Sequence, residues 1–164
     1  MSLLTVHRLR ELLSYDPDAG LFSWQFSRGP IRLGMQAGTV KDNGYVQIKV
    51  DGAFYRAHRL AWFYTHGEWP AHDIDHINGD RADNRLANLR CATRAENMQN
   101  ARKARRNSKT GLLGASPSRG KGGGFRADIK VNGKQTVLGT FSSAQEAHEA
   151  YLTAKRVMHP MGTI

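Results

Sequence analysis

A single cysteine, Cys91, occurs in the 164 residues, so no disulfide can close within the chain and a zinc site built from cysteines is excluded. There is no apolar run long enough to span a bilayer. The opening Met1-Ser2-Leu3-Leu4-Thr5-Val6-His7-Arg8 lacks a signal-peptide pattern, because charge arrives before a sustained apolar segment forms. Together these absences predict a cytoplasmic protein with no membrane partner. Acids are scarce as well: 14 Asp and Glu stand against 24 Lys and Arg, giving a formal net charge of +10 and a pI near 10.2. Such a balance calls for a polyanionic partner, most simply nucleic acid, rather than a small-molecule substrate. An aromatic stacking platform of the kind that holds RNA is missing, which favours double-stranded DNA.

What is present is unevenly placed. Ten of the 24 cationic residues lie between Arg102 and Lys134 against one acid, Asp128, whereas five of the 14 acids lie between Asp73 and Glu96. The acidic segment contains Ile74-Asp75-His76-Ile77-Asn78-Gly79-Asp80, then Asp83-Asn84-Arg85-Leu86-Ala87-Asn88-Leu89-Arg90, then Thr93-Arg94-Ala95-Glu96-Asn97. It reads as two short strand-like segments leading into a helix. Asn78-Gly79 turns the chain, since both residues tolerate positive φ. Thr93 followed by Glu96 is a capping box, which predicts a helix from about Arg94 with Asn97 in its first turn. A carboxylate, an imidazole and an amide carbonyl then come within reach of one small volume. Asp and Asn supply hard oxygens suited to Mg²⁺ or a similar ion. A neutral His nearby can take a proton from water, its ordinary pKa being about 6.5. Metal plus base is a sufficient kit for phosphodiester hydrolysis.

Upstream, Thr5 caps a short helix with Val6, Leu9, Leu12 and Leu13 at helical spacing, ending near Tyr15 before the turn Asp16–Gly20. Leu21–Phe26 reads as a strand, and Ser27–Gly38 as a loop whose Arg28 and Arg32 can reach phosphate. Tyr45–Val50 alternates, and Asp51-Gly52 turns it into Ala53–Arg56. Ala57–His66 is helical, stopped by Gly67, with His58 near its start in a packing role. After Asn97 the helix is expected to run on through Asn100 into the basic Arg102, Lys103, Arg105 and Arg106, and Asn107–Gly111 reads as a linker.

The order Asp75-His76, Asn88 before Leu89, then Asn97, together with His58-Arg59-Leu60 and Asn84–Leu89, resembles the HNH nucleases, specifically the subgroup of phage homing endonucleases. The resemblance covers roughly residues 20–105. It implies a ββα-metal site with His76 as general base, Asp75 and Asn97 as metal ligands, and Asn88 bracing the loop that positions His76. Asn97 stands where many relatives have His, which argues against a zinc site of His ligands and for Mg²⁺ or Mn²⁺.

The last fifty residues read as a second unit. Leu113–Ser116, Phe125–Val131 and Lys134–Phe141 are strands, with Asn132-Gly133 turning the last two. Ser143 and Glu146 form a capping box, and Ala144, Ala147, Ala150, Tyr151, Ala154, Val157 and Met158 stripe the helix that follows. Arg126, Asp128 and Lys130 share one face of their strand. Gly114, Phe125-Arg126-Ala127, Leu138–Phe141 and Glu146–Tyr151 resemble the DNA-binding domain of plant APETALA and ethylene-response regulators. That likeness implies a sheet entering the major groove, with Arg119, Arg126, Lys130, Lys134 and Gln135 as contacts.

The expected fold is α+β: an HNH nuclease domain over 1–106, its ββα-metal core at about 72–105, and an APETALA-type domain over 107–164, a three-stranded antiparallel sheet packed on one helix. The expected function is a metal-dependent DNA endonuclease, a site-preferring phage homing-type nicking enzyme of the bacterial host cytoplasm, acting as monomer or homodimer. The alternative is a catalytically inactive, sequence-specific DNA-binding regulator.

Overall fold

The computed structural model describes residues 4–100, 103–120, 122–131 and 133–159. The chain divides into two compact units, Met1–Ala92 and Thr93–Ile164.

In the first unit the Thr5 hydroxyl accepts the Arg8 N–H at 3.1 Å and caps α1 (Val6–Leu12). This helix ends before the expected Tyr15 because Leu13 turns extended and Leu13–Asp16 becomes β1, with Leu13 and Tyr15 directed inward. β1 pairs with β2 (Leu21–Trp24), which in turn pairs with β3 (Gln36–Ala37), a strand inside the segment expected to be loop. A second sheet joins β4 (Thr39–Val40), β5 (Val46–Val50) and β6 (Ala53–Arg56), with Asp51 and Gly52 at φ +46° and +85° in the hairpin turn. α2 (Ala57–His66) stops at Gly67, whose N–H bonds to the Phe63 carbonyl.

β7 (Asp73–His76) pairs antiparallel with β8 (Leu89–Ala92), and a 3₁₀ turn, Leu86–Asn88, precedes β8. A lone two-stranded hairpin is marginal in water. Here Ile74 and Leu89 enter the core formed by Leu9, Leu13, Phe22, Ile48 and Leu60. Each buried side chain contributes roughly 1.5–3 kcal/mol, enough to hold the hairpin on the unit.

The second unit opens with α3 (Arg94–Gln99), where both halves of the Thr93–Glu96 capping box form. α3 buries no residue. The helix ends at Asn100, and Lys103–Arg106 form bends and turns, since no apolar stripe gives that stretch a reason to stay helical. Arg102 lies outside the described residues, as does Asn132 of the expected hairpin turn.

β9 (Ala115–Pro117), β10 (Phe125–Val131) and β11 (Lys134–Phe141) form an antiparallel sheet in the order β11-β10-β9. α4 (Ala144–Met158) covers it over a core of Ala115, Ala127 and Ala147. Ser143 caps α4, but the Glu146 carboxylate reaches back to Ser142 instead of to Ser143, so the expected capping box is half made. The buried stripe also departs from expectation at its end. Ala147, Tyr151 and Lys155 are buried, while Val157 is 81% exposed. Six residues after Tyr151, at 3.6 per turn, Val157 falls well off the buried face, and Lys155 takes the inner position.

Candidate active site

The register of β7 and β8 sets Asp75 opposite Arg90 and His76 opposite Leu89. Arg90 donates from Nε at 3.0 Å and from Nη2 at 2.7 Å to the same oxygen, Asp75 Oδ2. Both side chains are largely buried. The carboxylate of Asp75 is an oxygen donor of the type a hard divalent cation takes. With Oδ2 engaged by Arg90, an ion at Asp75 would share the carboxylate with that guanidinium.

His76 is 4% exposed, and its Nε2 lies 3.4 Å from Asn84 Oδ1. The Asn84 amide nitrogen donates to the Ala82 carbonyl at 2.9 Å, which turns Oδ1 toward the imidazole. An acceptor at Nε2 favours the tautomer with its proton on that nitrogen. Burial pushes His76 below its ordinary pKa, against the raising effects of Asn84 and of Asp75, Asp80 and Asp83. The ring is therefore neutral at neutral pH, as a base must be. Asn84 is itself anchored in the core, because Tyr15 donates its hydroxyl to the Asn84 carbonyl at 2.7 Å.

Asn88, also buried, binds the loop at several points. Its Oδ1 accepts the Asn78 N–H at 2.9 Å, its Nδ2 donates to the Asp83 carbonyl at 2.8 Å, and its carbonyl accepts the Ile77 N–H at 2.9 Å. Asp83 pairs with Arg85, whose hydrogen bonds hold the carboxyl down at about 2. The first unit thus gathers Asp75, His76, Asn84 and Asn88 on one hairpin and its loop. Asn97 lies half-buried on α3, in the second unit.

His58 takes the packing role its sequence position predicts, and it does so against the candidate base. Its ring is 5.0 Å from that of His76 and nearly perpendicular to it, and Tyr45 packs on both rings, at 5.2 Å from His58 and 5.9 Å from His76. His58 is 4% exposed, and its Nδ1 has no hydrogen-bond partner among the described residues. Burial, then the charges of His76, Arg56 and Arg59, push it down to about 3. Eighteen positions separate His58 from His76, so no local pattern announces the contact. This burial has a consequence for pH. The folded state refuses a proton that the unfolded chain accepts below pH 6.5, so His58 contributes stability above that value that is lost as pH falls toward 3. Between pH 7 and pH 4 the loss is about 3 kcal/mol. Urea melts across that range should show the slope, and His58→Phe should flatten it; an unchanged slope in the variant would place the titration elsewhere.

In the second unit, Arg126, Asp128 and Lys130 occupy the sheet face turned away from α4 and pair with Thr140, Val137 and Gln135. A cleft of about 920 Å³ on this face is lined by Lys109, Arg119, Arg126, Asp128, Gln135 and Val137, among others. Asp128 organises it: Arg126 Nε stands 3.5 Å from Oδ1, and the Gln135 amide donates to Oδ2. Lys130 is exposed on the same face, whereas Lys134 pairs with Val131, on the helix-facing side. Lys103, Arg105 and Arg106 are exposed on the segment after α3.

Comparison with known proteins bears on the hairpin. The HNH endonuclease family model matches residues 55–99. Among solved structures, the chain is similar to the HNH homing endonuclease I-HmuI, described for its DNA binding and cleavage, at 21% identity and a TM-score of 0.46 over 61% of this chain and 57% of that one. The present chain therefore spans little more than half the length of that protein. No curated protein sequence matches. The segment that matches the HNH endonuclease family, residues 55–99, runs from the end of β6 through α2 and the β7–β8 hairpin to α3.

Proposed function

We propose that this protein is a metal-dependent DNA endonuclease of the phage homing type that nicks one strand per site. The observation that carries this reading is a buried, neutral imidazole, His76, held by Asn84 next in sequence to a carboxylate, inside the segment that matches the HNH endonuclease family. His76 takes the proton from a water whose oxygen attacks phosphorus, the bond from phosphorus to the 3′ oxygen breaks, and the leaving oxygen is protonated from solvent. Asp75 and Asn97 would hold Mg²⁺ or Mn²⁺, with α3 as the helix of a ββα-metal arrangement. When bound, the ion supplies a positive charge that stabilises the developing negative one. Asn88 keeps the loop closed so that the imidazole does not swing.

Residues 107–164 would serve as an APETALA-type DNA-binding domain. Arg119, Arg126, Lys130, Lys134 and Gln135 would contact the duplex, while Arg102, Lys103, Arg105 and Arg106 would follow its backbone. The working place would be the bacterial host cytoplasm, with the chain acting as a monomer that nicks or a homodimer that cuts both strands.

The test is incubation of the purified chain with supercoiled plasmids in Mg²⁺, Mn²⁺ or EDTA. Open circles that need the metal are expected. Retarded but uncut DNA, across plasmids of different sequence and with either ion, would sink the enzymatic reading and leave a DNA-binding regulator.

A further inference from the structure

The ring of Tyr45 is the hub of a cationic cluster that the proton-transfer chemistry leaves unexplained. Arg56 Cζ lies 4.2 Å from its centroid and Arg81 Cζ 4.9 Å, so the two guanidinium carbons are no more than about 9 Å apart. The same ring stands 5.9 Å from that of His76.

Three local devices bring the cluster together. The turn Lys41–Tyr45 closes through a 2.9 Å bond from the Lys41 N–H to the Tyr45 carbonyl, with Gly44 at φ +82°. Asn43 Oδ1 accepts the Tyr45 N–H at 3.2 Å, and the Asn43 carbonyl accepts Arg81 Nη1 at 2.9 Å, so one turn seats both the ring and a guanidinium. Arg56 ends β6 and leads into α2, two residues before His58.

Both arginines are exposed, and among the described residues neither meets a carboxylate within ion-pair distance. That sets them apart from Arg8, Arg85 and Arg90, each of which has its acid. Two cations this close repel one another, and an anion between them would relieve the repulsion. A guanidinium stacked on an aromatic ring spends its face on the ring and keeps its N–H edge for a second partner, a geometry matched to phosphate oxygens.

We propose that Tyr45, Arg56 and Arg81 form a clamp for the DNA backbone beside His76, gripping the phosphates next to the bond that is cut. The position of the cut rests on the nuclease reading; the grip itself does not.

Binding of the full chain to a fluorescently labelled DNA duplex of mixed sequence, followed by anisotropy in EDTA over a salt series, measures the grip. Arg56→Ala and Arg81→Ala should each weaken binding about tenfold at low salt and lower the slope of log affinity against log salt by about 1. Lysine at either position should keep the slope, since the charge remains, yet recover only part of the affinity, since the planar fork is lost. Plasmid nicking in Mg²⁺ should fall in step in the alanine variants. Unchanged slopes in both alanine variants overturn the clamp, and so does a wild-type chain that binds no duplex. A wild type that binds but does not nick with Mg²⁺ or Mn²⁺ removes the nuclease reading alone, and the slopes still decide the clamp.

Discussion

His76→Ala is expected to slow plasmid nicking by a factor on the order of 10²–10⁴ while leaving the affinity for duplex DNA unchanged. Two features give this prediction its sign. The imidazole is neutral at neutral pH because burial pushes its pKa down, so removing it takes no charge from the surface that holds DNA. Its ring is also placed by contacts of its own, with Asn84 at Nε2 and the rings of His58 and Tyr45 packed against it, which makes its position specific rather than incidental. Asn84→Ala should give an intermediate loss, since the ring would remain but lose the acceptor that sets its tautomer. Initial rates with supercoiled plasmid, alongside anisotropy on a labelled duplex, separate the two quantities. A His76→Ala chain that nicks at the wild-type rate would mean the base is elsewhere.

Gly20→Ala should destabilise the first unit by about 3 kcal/mol or more. Gly20 sits at φ +71°, and a Cβ there would overlap the backbone nitrogen of Arg85 and the carbonyl carbon of Asn84. Those atoms have little room to move. The Asn84 carbonyl is held by the Tyr15 hydroxyl at 2.7 Å, and the Leu86 N–H is held by the Pro17 carbonyl at 2.9 Å. Any relief that did occur would drag Asn84 away from His76, so nicking should suffer beyond what the unfolded fraction explains. Gly52→Ala is the control. It has φ +85° with nothing within 4 Å of its Cβ, so it carries the backbone strain alone, about 1 kcal/mol. Urea melts of both variants decide the matter: equal midpoints would refute the close approach of the β1–β2 turn to the hairpin loop.

The residues show where sequence reasoning succeeded and where it stopped. Asp51-Gly52, the Gly67 stop, the Thr5 cap and the Thr93–Glu96 box are all interactions within four positions, and each stands where its neighbours put it. Asp75-His76 could likewise be singled out, because an acid-rich island in a basic chain is visible in composition alone. Helical spacing predicts a longer α1, by contrast, because Leu12 and Leu13 suit a helix or a strand equally, and it is the pairing of Leu13 with β2 that ends the helix.

The sequence by itself determined the turns, the caps, the split of charge between two segments, and the Asp-His pair with its asparagines. Tertiary structure alone decided which side chains surround His76. His58, Tyr45 and Tyr15 converge on the hairpin and its loop from different elements, and Arg56 and Arg81 meet on one ring although 25 positions separate them. Hydrogen bonds along the backbone reach only a few residues, so local sequence can encode them. Contacts across a core depend on how two sheets and a helix pack together, and no window of sequence contains that geometry.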